Sequence, residues 1–339
     1  MKYDCSCIVD TPYALALYLL KMDKATIERT IFCVGNNLPD KVLSALPHAK
    51  RFCIDIRRSR LVRLLFRLKC WIYHLTVICN TQIFAQDHLH CAPQLICRGK
   101  YTLIEDGPNA YTLNRNAIGH VFPDTRNPFF LLSLYLIGGA IYLKTMGRNK
   151  QCENRWVTSS EDVRSFQREG VKFDVLNVRT LWQNASDEKR KMILDIIDGR
   201  SSRFDFSGLS RECKTILLTQ PMTNDCGLSD EEQVALYRPF VERYSDGGVV
   251  VKPHPRDKLE YEHWFPNCRI LRTRVPMQLL NAFGLDFDRV ITICSSSVSD
   301  MSANVELIWI GTEANDKIVK VYGHPNPPDK FHNVTRGFV

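Results

Sequence analysis

Short, almost unbroken apolar runs alternate with longer amphipathic stretches from the first residues onward. Tyr3–Val9 is apolar and ends in "CIVD"; Pro12–Lys21 follows at helical spacing; Thr30–Val34 is apolar again, Pro39–Leu46 amphipathic and Arg51–Ile56 strand-like. Thr81–Ala85 and Tyr101–Ile104 add two more such runs. Runs of this length without alternation predict strands buried on both faces, and the intervening helices predict a parallel sheet covered on both sides. A polar stretch, "GRNKQCENRWVTSSED", then leads to a shorter β-α segment made of "KFDVLNV" and a helix over Ser186–Ile197.

The stretch 198–208, "DGRSSRFDFSG", is rich in glycine, serine and charge and reads as a linker. The alternation restarts after it. Strands are expected at Thr215–Thr219, Gly248–Lys252, Arg269–Leu271, Val290–Cys294 and Leu307–Ile310, with helices at Asp230–Tyr244 and Pro276–Phe283. The expectation is an α/β protein of two Rossmann-like domains, 1–205 and 206–339, facing each other across a cleft. In such sheets ligands sit outside the carboxyl ends of the strands, so the residues just after each strand carry the functional reading.

Composition narrows the picture. The chain has 339 residues, 45% hydrophobic and 24% charged, which is ordinary for one large or two medium globular domains. Its net charge of +8 is locally concentrated: Arg57–Lys69, "RRSRLVRLLFRLK", holds six cations and no anion. As a helix it places Leu61, Leu64, Leu65 and Leu68 on one face and Arg60, Arg63 and Arg67 on another, which is either a solvated face or a contact with an anionic membrane or acceptor. No nucleic-acid-binding motif accompanies it, so no nucleic-acid partner is expected.

Thirteen cysteines, with no C-x-x-C pair, lie scattered through apolar runs and read as reduced, mostly buried thiols of a cytoplasmic protein. Asp87, His88, His90 and Cys91 are close in sequence but lack a second ligand group, so no metal site is expected. The start of the chain shows no signal-peptide pattern. The apolar run Phe129–Leu143 is short for a membrane span and contains Gly138-Gly139, which favours a buried helix.

Four strand ends carry polar chemistry: Thr11-Pro12-Tyr13, Glu105-Asp106-Gly107, Lys252-Pro253-His254-Pro255-Arg256 and Ser295-Ser296-Ser297. The serines at a helix start can cap it or bind an anion. Two prolines restrict the backbone around His254, which can serve a turn or a phosphate. Taken together, a carboxylate in one half and a histidine with hydroxyls in the other suit group transfer from a nucleotide-activated donor. Asp106 would take the acceptor proton, and His254 with the serines would hold the departing phosphate. Glu105, beside Asp106, would make it a better base by like-charge repulsion. There is no G-x-x-x-x-G-K-[ST] and no G-x-G-x-x-G, which disfavours P-loop and dinucleotide enzymes, and no D-x-D at a strand end to grip a nucleotide through a metal.

The E-D-G strand end, the H-P pair and the later serines, with "CIVDTPYALALYLL" and "IFAQDHLHCAPQLI", resemble the bacterial sialyltransferases of the two-domain GT-B type, and most of all glycosyltransferase family 52. The resemblance runs in islands from about Cys7 to Ile310. It implies Asp106 as general base and His254 as the histidine that assists the leaving phosphate. It also implies Ser296 and Ser297 as phosphate holders, and Lys252 and Pro255 as flanks of the nucleotide. The function it implies is inverting, metal-independent transfer of sialic acid from CMP-sialic acid, with no cofactor, onto a lipooligosaccharide or capsular glycan. The expected location is the cytoplasmic face of the inner membrane, and a homodimer is implied.

Two positions depart from the family pattern. Gln278 stands where a glutamate reads the ribose hydroxyls, and Ala14 stands where many relatives carry glutamine or histidine. An amide can bond a diol but without charge assistance. Another nucleotide sugar therefore remains open as donor, and a non-catalytic binding protein on the same fold is the alternative from a different class.

Overall fold

The computed structural model describes residues 3–55, 57–107, 110–113, 128–129, 132, 145–198, 209, 212–273, 275–282, 284–295, 297–298 and 301–337. The contacts divide the chain into two compact units, Met1–Ser202 and Arg203–Val339.

The first unit is built on a seven-stranded parallel sheet. Its strands are β1 (Cys5–Val9), β2 (Thr30–Val34), β3 (Ala49–Arg51), β4 (Gln82–Ala85), β5 (Tyr101–Ile104), β6 (Cys152–Val157) and β7 (Asp174–Val175). Their order is β3-β2-β1-β4-β5-β6-β7. Every residue of β1, β2 and β5 is buried, as unbroken apolar runs require. The helix Pro12–Lys21 begins where expected, because Thr11 Oγ1 accepts the Ala14 N–H (3.2 Å) and Pro12 takes the first turn, where no N–H is needed. This helix is buried from Tyr13 to Leu20. Tyr18 packs edge-on against Phe32 and Phe84, with ring centroids 5.7 and 5.3 Å away, and its hydroxyl meets Thr30 Oγ1 at 2.7 Å.

Sequence patterning misplaced two regions of this unit. The strand expected over Arg51–Ile56 is instead Ala49–Arg51, ending as the chain leaves the sheet edge. The polar stretch Gly147–Asp162 hides β6 and the start of a helix, Ser160–Glu169. In β6, Cys152, Trp156 and Val157 face the core. Arg155 is buried too, its guanidinium donating to the backbone carbonyls of Gly147 and Lys172. Charged side chains satisfied by backbone oxygens let a polar sequence run through the sheet.

The second unit repeats the plan. Its parallel strands are β8 (Thr215–Leu218), β9 (Val249–Lys252), β10 (Arg269–Ile270), β11 (Arg289–Thr292), β12 (Glu306–Trp309) and β13 (Val334–Arg336), in the order β10-β9-β8-β11-β12-β13. The short edge strand β13 and the helix Asp316–Tyr322 were not expected from the pattern. The helix Asp230–Arg243 opens with a capping box: Ser229 Oγ accepts the Glu232 N–H (3.1 Å) and Glu232 accepts the Ser229 N–H (2.7 Å). Both sheets reverse direction between their first and fourth strands, at β1/β4 and at β8/β11. That reversal opens the crevice at the strand carboxyl ends where such folds bind ligands.

The 198–208 linker and the Phe129–Leu143 run lie almost wholly outside the described residues. Among the described residues, no helix is long and apolar enough to cross a membrane. All thirteen cysteines are free thiols, eight of them buried, and burial raises the Cys7, Cys33 and Cys91 thiols well above the ordinary range.

Candidate active site

At the carboxyl end of the first sheet, β1, β4 and β5 deliver Asp10, Gln86 and Asp106 to one spot. Gln86 is fully buried. Its Oε1 accepts the Asp10 backbone N–H (2.6 Å), and its Nε2 donates to Thr11 Oγ1 (3.3 Å) and, by a short bond, to Asp106 Oδ1. The other oxygen of Asp106 lies 3.6 Å from His88 Nε2. Asp106 is therefore tied at one oxygen and open at the other, with its side chain 32% exposed. Neither Gln86 nor Asp10 was singled out as a site residue from the sequence, and His88 was weighed there only as a metal ligand. The signal was present, since "QDH" follows β4, the strand between β1 and β5.

Asp10 is gripped by Asn37, whose N–H and side-chain amide donate to its two oxygens at 2.8 and 2.7 Å. Burial raises the Asp10 carboxyl above its usual range; the Asn37 backbone bond opposes this and the nearby Asp106 charge adds to it. A side chain at Gly35 would overlap the Asp10 carboxylate, so only glycine lets the turn after β2 close over it. Asp10, Asn37, His88 and Phe66 line a cavity of about 350 Å³.

The adjacent carboxylates of the E-D-G strand end serve different partners. Glu105 is fully buried and turned to the neighbouring strand end, where its oxygens accept the Thr158 N–H (2.6 Å), the Thr158 hydroxyl (2.9 Å) and the Tyr13 hydroxyl (3.3 Å). Glu105 thereby joins β5, the residue after β6 and the helix Pro12–Lys21. Tyr13 and Thr11 are part of that frame, with Pro12 opening the helix between them. A side chain at Gly107 would meet nothing within 4 Å among the described residues.

Asp87 has a structural task. It is fully buried and accepts from the Tyr101 hydroxyl (2.7 Å) and from the Met146 and Gly147 N–H groups (2.8 Å each), fixing the turn before β6. Among the described residues, no group of three or more His, Cys, Asp and Glu side chains is arranged to hold a metal ion.

The second unit gathers different groups at its strand ends. Lys252, buried, is the last residue of β9. His254 follows, its N–H donating to Thr219 Oγ1 (3.2 Å) just after β8, and its Nδ1 accepts the Arg256 N–H (3.2 Å). The neutral ring then carries its proton on Nε2 as a donor. Burial, followed by the charges of Arg256 and Lys252, lowers the His254 pKa to about 4. Beneath it, buried Asp257 accepts from Thr219 Oγ1 (2.7 Å), Tyr261 OH (2.9 Å), Gln233 Nε2 (3.1 Å) and the Leu259 N–H (3.1 Å). Arg256 is held by a bidentate pair with Asp225, both bonds 2.9 Å. Pro255 is exposed beside them.

Ser295 is buried after β11; its N–H donates to Thr292 Oγ1 (3.1 Å) and its hydroxyl accepts the Ser297 N–H (3.3 Å). Ser297 and Val298 have 3-10 helical backbone, and residues 299–300, into which the helix expected to start at the serines would run, lie outside the described ones. Ser296 lies outside them. Gln278 sits in the first turn of the helix Met277–Ala282, and its side chain is outside the description.

Two parallel sheets of this order are the architecture of GT-B glycosyltransferases. The chain matches over 94% of its length the GT-B domain of a sialyltransferase from Photobacterium damselae, at 14% identity, 96% of that chain and TM-score 0.54. A 2,6-sialyltransferase from Photobacterium sp. JT-ISH-224, solved with CMP and lactose, matches at 10% identity over 91% of this chain and 71% of that one, TM-score 0.56. A putative UDP-N-acetylglucosamine 2-epimerase from Listeria monocytogenes matches at 13% identity over 91% and 79%, TM-score 0.50. These likenesses establish the fold. Residues 75–311 match glycosyltransferase family 52, and the chain belongs to that family. An uncharacterized protein of Haemophilus influenzae is 24% identical over 94% of this chain and 97% of its own length.

Proposed function

We propose that this glycosyltransferase moves sialic acid from CMP-sialic acid onto a lipooligosaccharide or capsular glycan, with inversion and without a catalytic metal. The observation that carries the reading is Asp106: a half-exposed carboxylate at the end of β5, anchored at Oδ1 by Gln86 and left open at Oδ2 beside His88. A base held at one oxygen is oriented without losing its proton-accepting capacity. In the proposed step an acceptor hydroxyl attacks the anomeric carbon, its proton passes to Asp106, and the bond from that carbon to the CMP phosphate breaks with the electron pair leaving on CMP.

The second unit is the nucleotide-binding half of this proposal. Nε2–H of His254 and the cations Lys252 and Arg256 suit a departing phosphate, whose negative charge grows as the bond breaks. The CMP bound in the similar 2,6-sialyltransferase supports this choice of donor. Gln278 in place of the family's glutamate is the feature that favours the other reading, a different nucleotide sugar on the same site.

The test is a transfer assay with CMP-sialic acid and a lactose-terminated acceptor in the presence of a chelator, with thermal unfolding in CMP, UDP and GDP alongside. Sialylated product, and stabilisation by CMP of roughly 2.7 kcal/mol at about a hundred times its dissociation constant, are expected. Stabilisation by UDP or GDP alone, with no product, would overturn the donor assignment.

A further inference from the structure

The helix Arg60–Tyr73 has two apolar faces, and among the described residues only one is covered. Its inner face places Phe66, Cys70 and Tyr73 in the core of the first unit, and Phe66 also lines the cavity beside Asp10 and His88. Its outer face repeats at four and three residues: Leu61, Leu65, Leu68, Ile72 and, in the turn that continues it, Leu75. That face is in solvent. Leu61 is 64% exposed, Leu65 55%, Ile72 49% and Leu75 51%, and Val62 and Leu64 beside them are exposed as well. Six of the large hydrophobic side chains most exposed among the described residues thus fall within one segment, which is a patch rather than scattered surface leucines.

The charge around this stripe has one sign. From Arg57 to Gln86 the sequence contains no Asp or Glu. Arg57, Arg58 and Lys69 are exposed, and Arg63 and Arg67 lie half-buried on the flank. The helix also has an ordinary start, with Ser59 Oγ accepting the Val62 N–H (3.4 Å), so it is a formed element. A second copy of this chain would bring an equally cationic rim against this one and be repelled. An anionic lipid surface offers acyl chains to the leucines and phosphates to the arginines at the same depth.

We infer that Arg60–Tyr73, extended by Leu75, docks the protein on an anionic lipid bilayer through its outer apolar stripe. The helix then lies in the plane of the interface with the leucines among the acyl chains. The opposite face of the same helix carries Phe66 into the cavity wall, so docking would hold that wall at the membrane surface. The inference stands on the helix alone and does not depend on which sugar is transferred.

The experiment is co-sedimentation of the full chain with vesicles of phosphatidylcholine alone and of phosphatidylcholine mixed equally with phosphatidylglycerol, at low and high salt. The chain should partition onto the anionic vesicles at least about tenfold more than onto the neutral ones, and high salt should weaken it. L61Q/L65Q/I72Q, confined to exposed positions, should lower partitioning by at least about tenfold while keeping the unfolding temperature, and R58E/K69E should lower it by about tenfold. Equal partitioning of L61Q/L65Q/I72Q and the unchanged chain would overturn the inference, as would equal binding to both vesicle types. So would a dimer in the absence of lipid that L61Q/L65Q/I72Q turns into a monomer, because a second copy would then cover the stripe.

Discussion

The carboxyl ends of the two sheets share a strand order but have collected opposite charges. In the first unit the ends of β1, β4 and β5 bring Asp10, Asp106 and Glu105 together, with neutral Gln86 as the tie. In the second, the segment after β9 brings Lys252, His254 and Arg256, with Asp257 buried beneath them and Asp225 paired to Arg256. The same topology opens a crevice in both, so topology cannot have chosen the chemistry. The residues in the first few positions after each strand did. An anionic end suits proton removal, and a cationic end suits a leaving phosphate.

The sharpest way to break this comparison is at Asp106. Asp106→Asn keeps the shape and the Gln86 contact but removes the base. The transfer rate should fall by roughly 10²–10⁴-fold while affinity for the nucleotide stays within about twofold. Steady-state kinetics paired with nucleotide titration reads both. A rate within threefold of the parent would make the anionic end structural, and the contrast between the two units would lose its catalytic meaning.

Glu105 sits one residue away and should behave in the opposite manner. Its carboxylate joins β5 to the residue after β6 and to the first buried helix. Glu105→Ala removes the acceptor that the Thr158 N–H and the Thr158 and Tyr13 hydroxyls share in a buried place, leaving the two hydroxyls only their bond to each other among those described (2.8 Å). Stability should fall by about 2–4 kcal/mol, seen as a lower denaturation midpoint. The enzyme that remains folded should turn over near the parent rate. Two neighbouring carboxylates, one lost in rate and the other in stability, would show that the strand end splits its work by the direction of each side chain.

That split was only half legible in the sequence. The strand ends themselves could be located, because unbroken apolar runs such as Thr30–Val34 and Tyr101–Ile104 stop abruptly at polar residues. Asp106 and His254 stood out for that reason. Gln86 and Asp10 did not, because their importance comes from strand order: β4 lies between β1 and β5 although some seventy residues separate it from β1 in the chain. Local pattern carries no such information. β6 escaped for a different reason. Its Glu153, Asn154 and Arg155 break the apolar run, and the strand forms through pairing with β5 and β7, with buried Arg155 satisfied by backbone carbonyls. The basic helix was legible as amphipathic, but which of its two apolar faces meets the core could not be read until the inner one was seen around Phe66 and Cys70.

The smallest effect, and the most specific to the cationic end, is the pH response of His254. Its pKa is lowered from 6.5 to about 4, first by burial and then by Arg256 and Lys252. The unfolded chain therefore binds a proton at this position near pH 6.5, and the folded chain does not until about pH 4. Between those values the unfolded state holds more protons, so stability rises with pH through the window and is lost as the pH falls. Solvent screening at this partly exposed ring limits the loss to roughly 1–2 kcal/mol. His254→Gln should flatten the stability profile between pH 4 and 6.5 and leave the profile above it unchanged. A phosphate beside the ring acts in the other direction, because it favours the imidazolium and raises the pKa. Nucleotide binding should then take up a fraction of a proton near pH 6, and affinity should strengthen as the pH falls from 8 to 6. Calorimetry in two buffers of different ionisation enthalpy measures that uptake directly. Uptake present in the parent and lost in His254→Gln would place the phosphate at this ring. Uptake unchanged in the variant would move the phosphate away from the cationic end and remove half of the contrast between the two units.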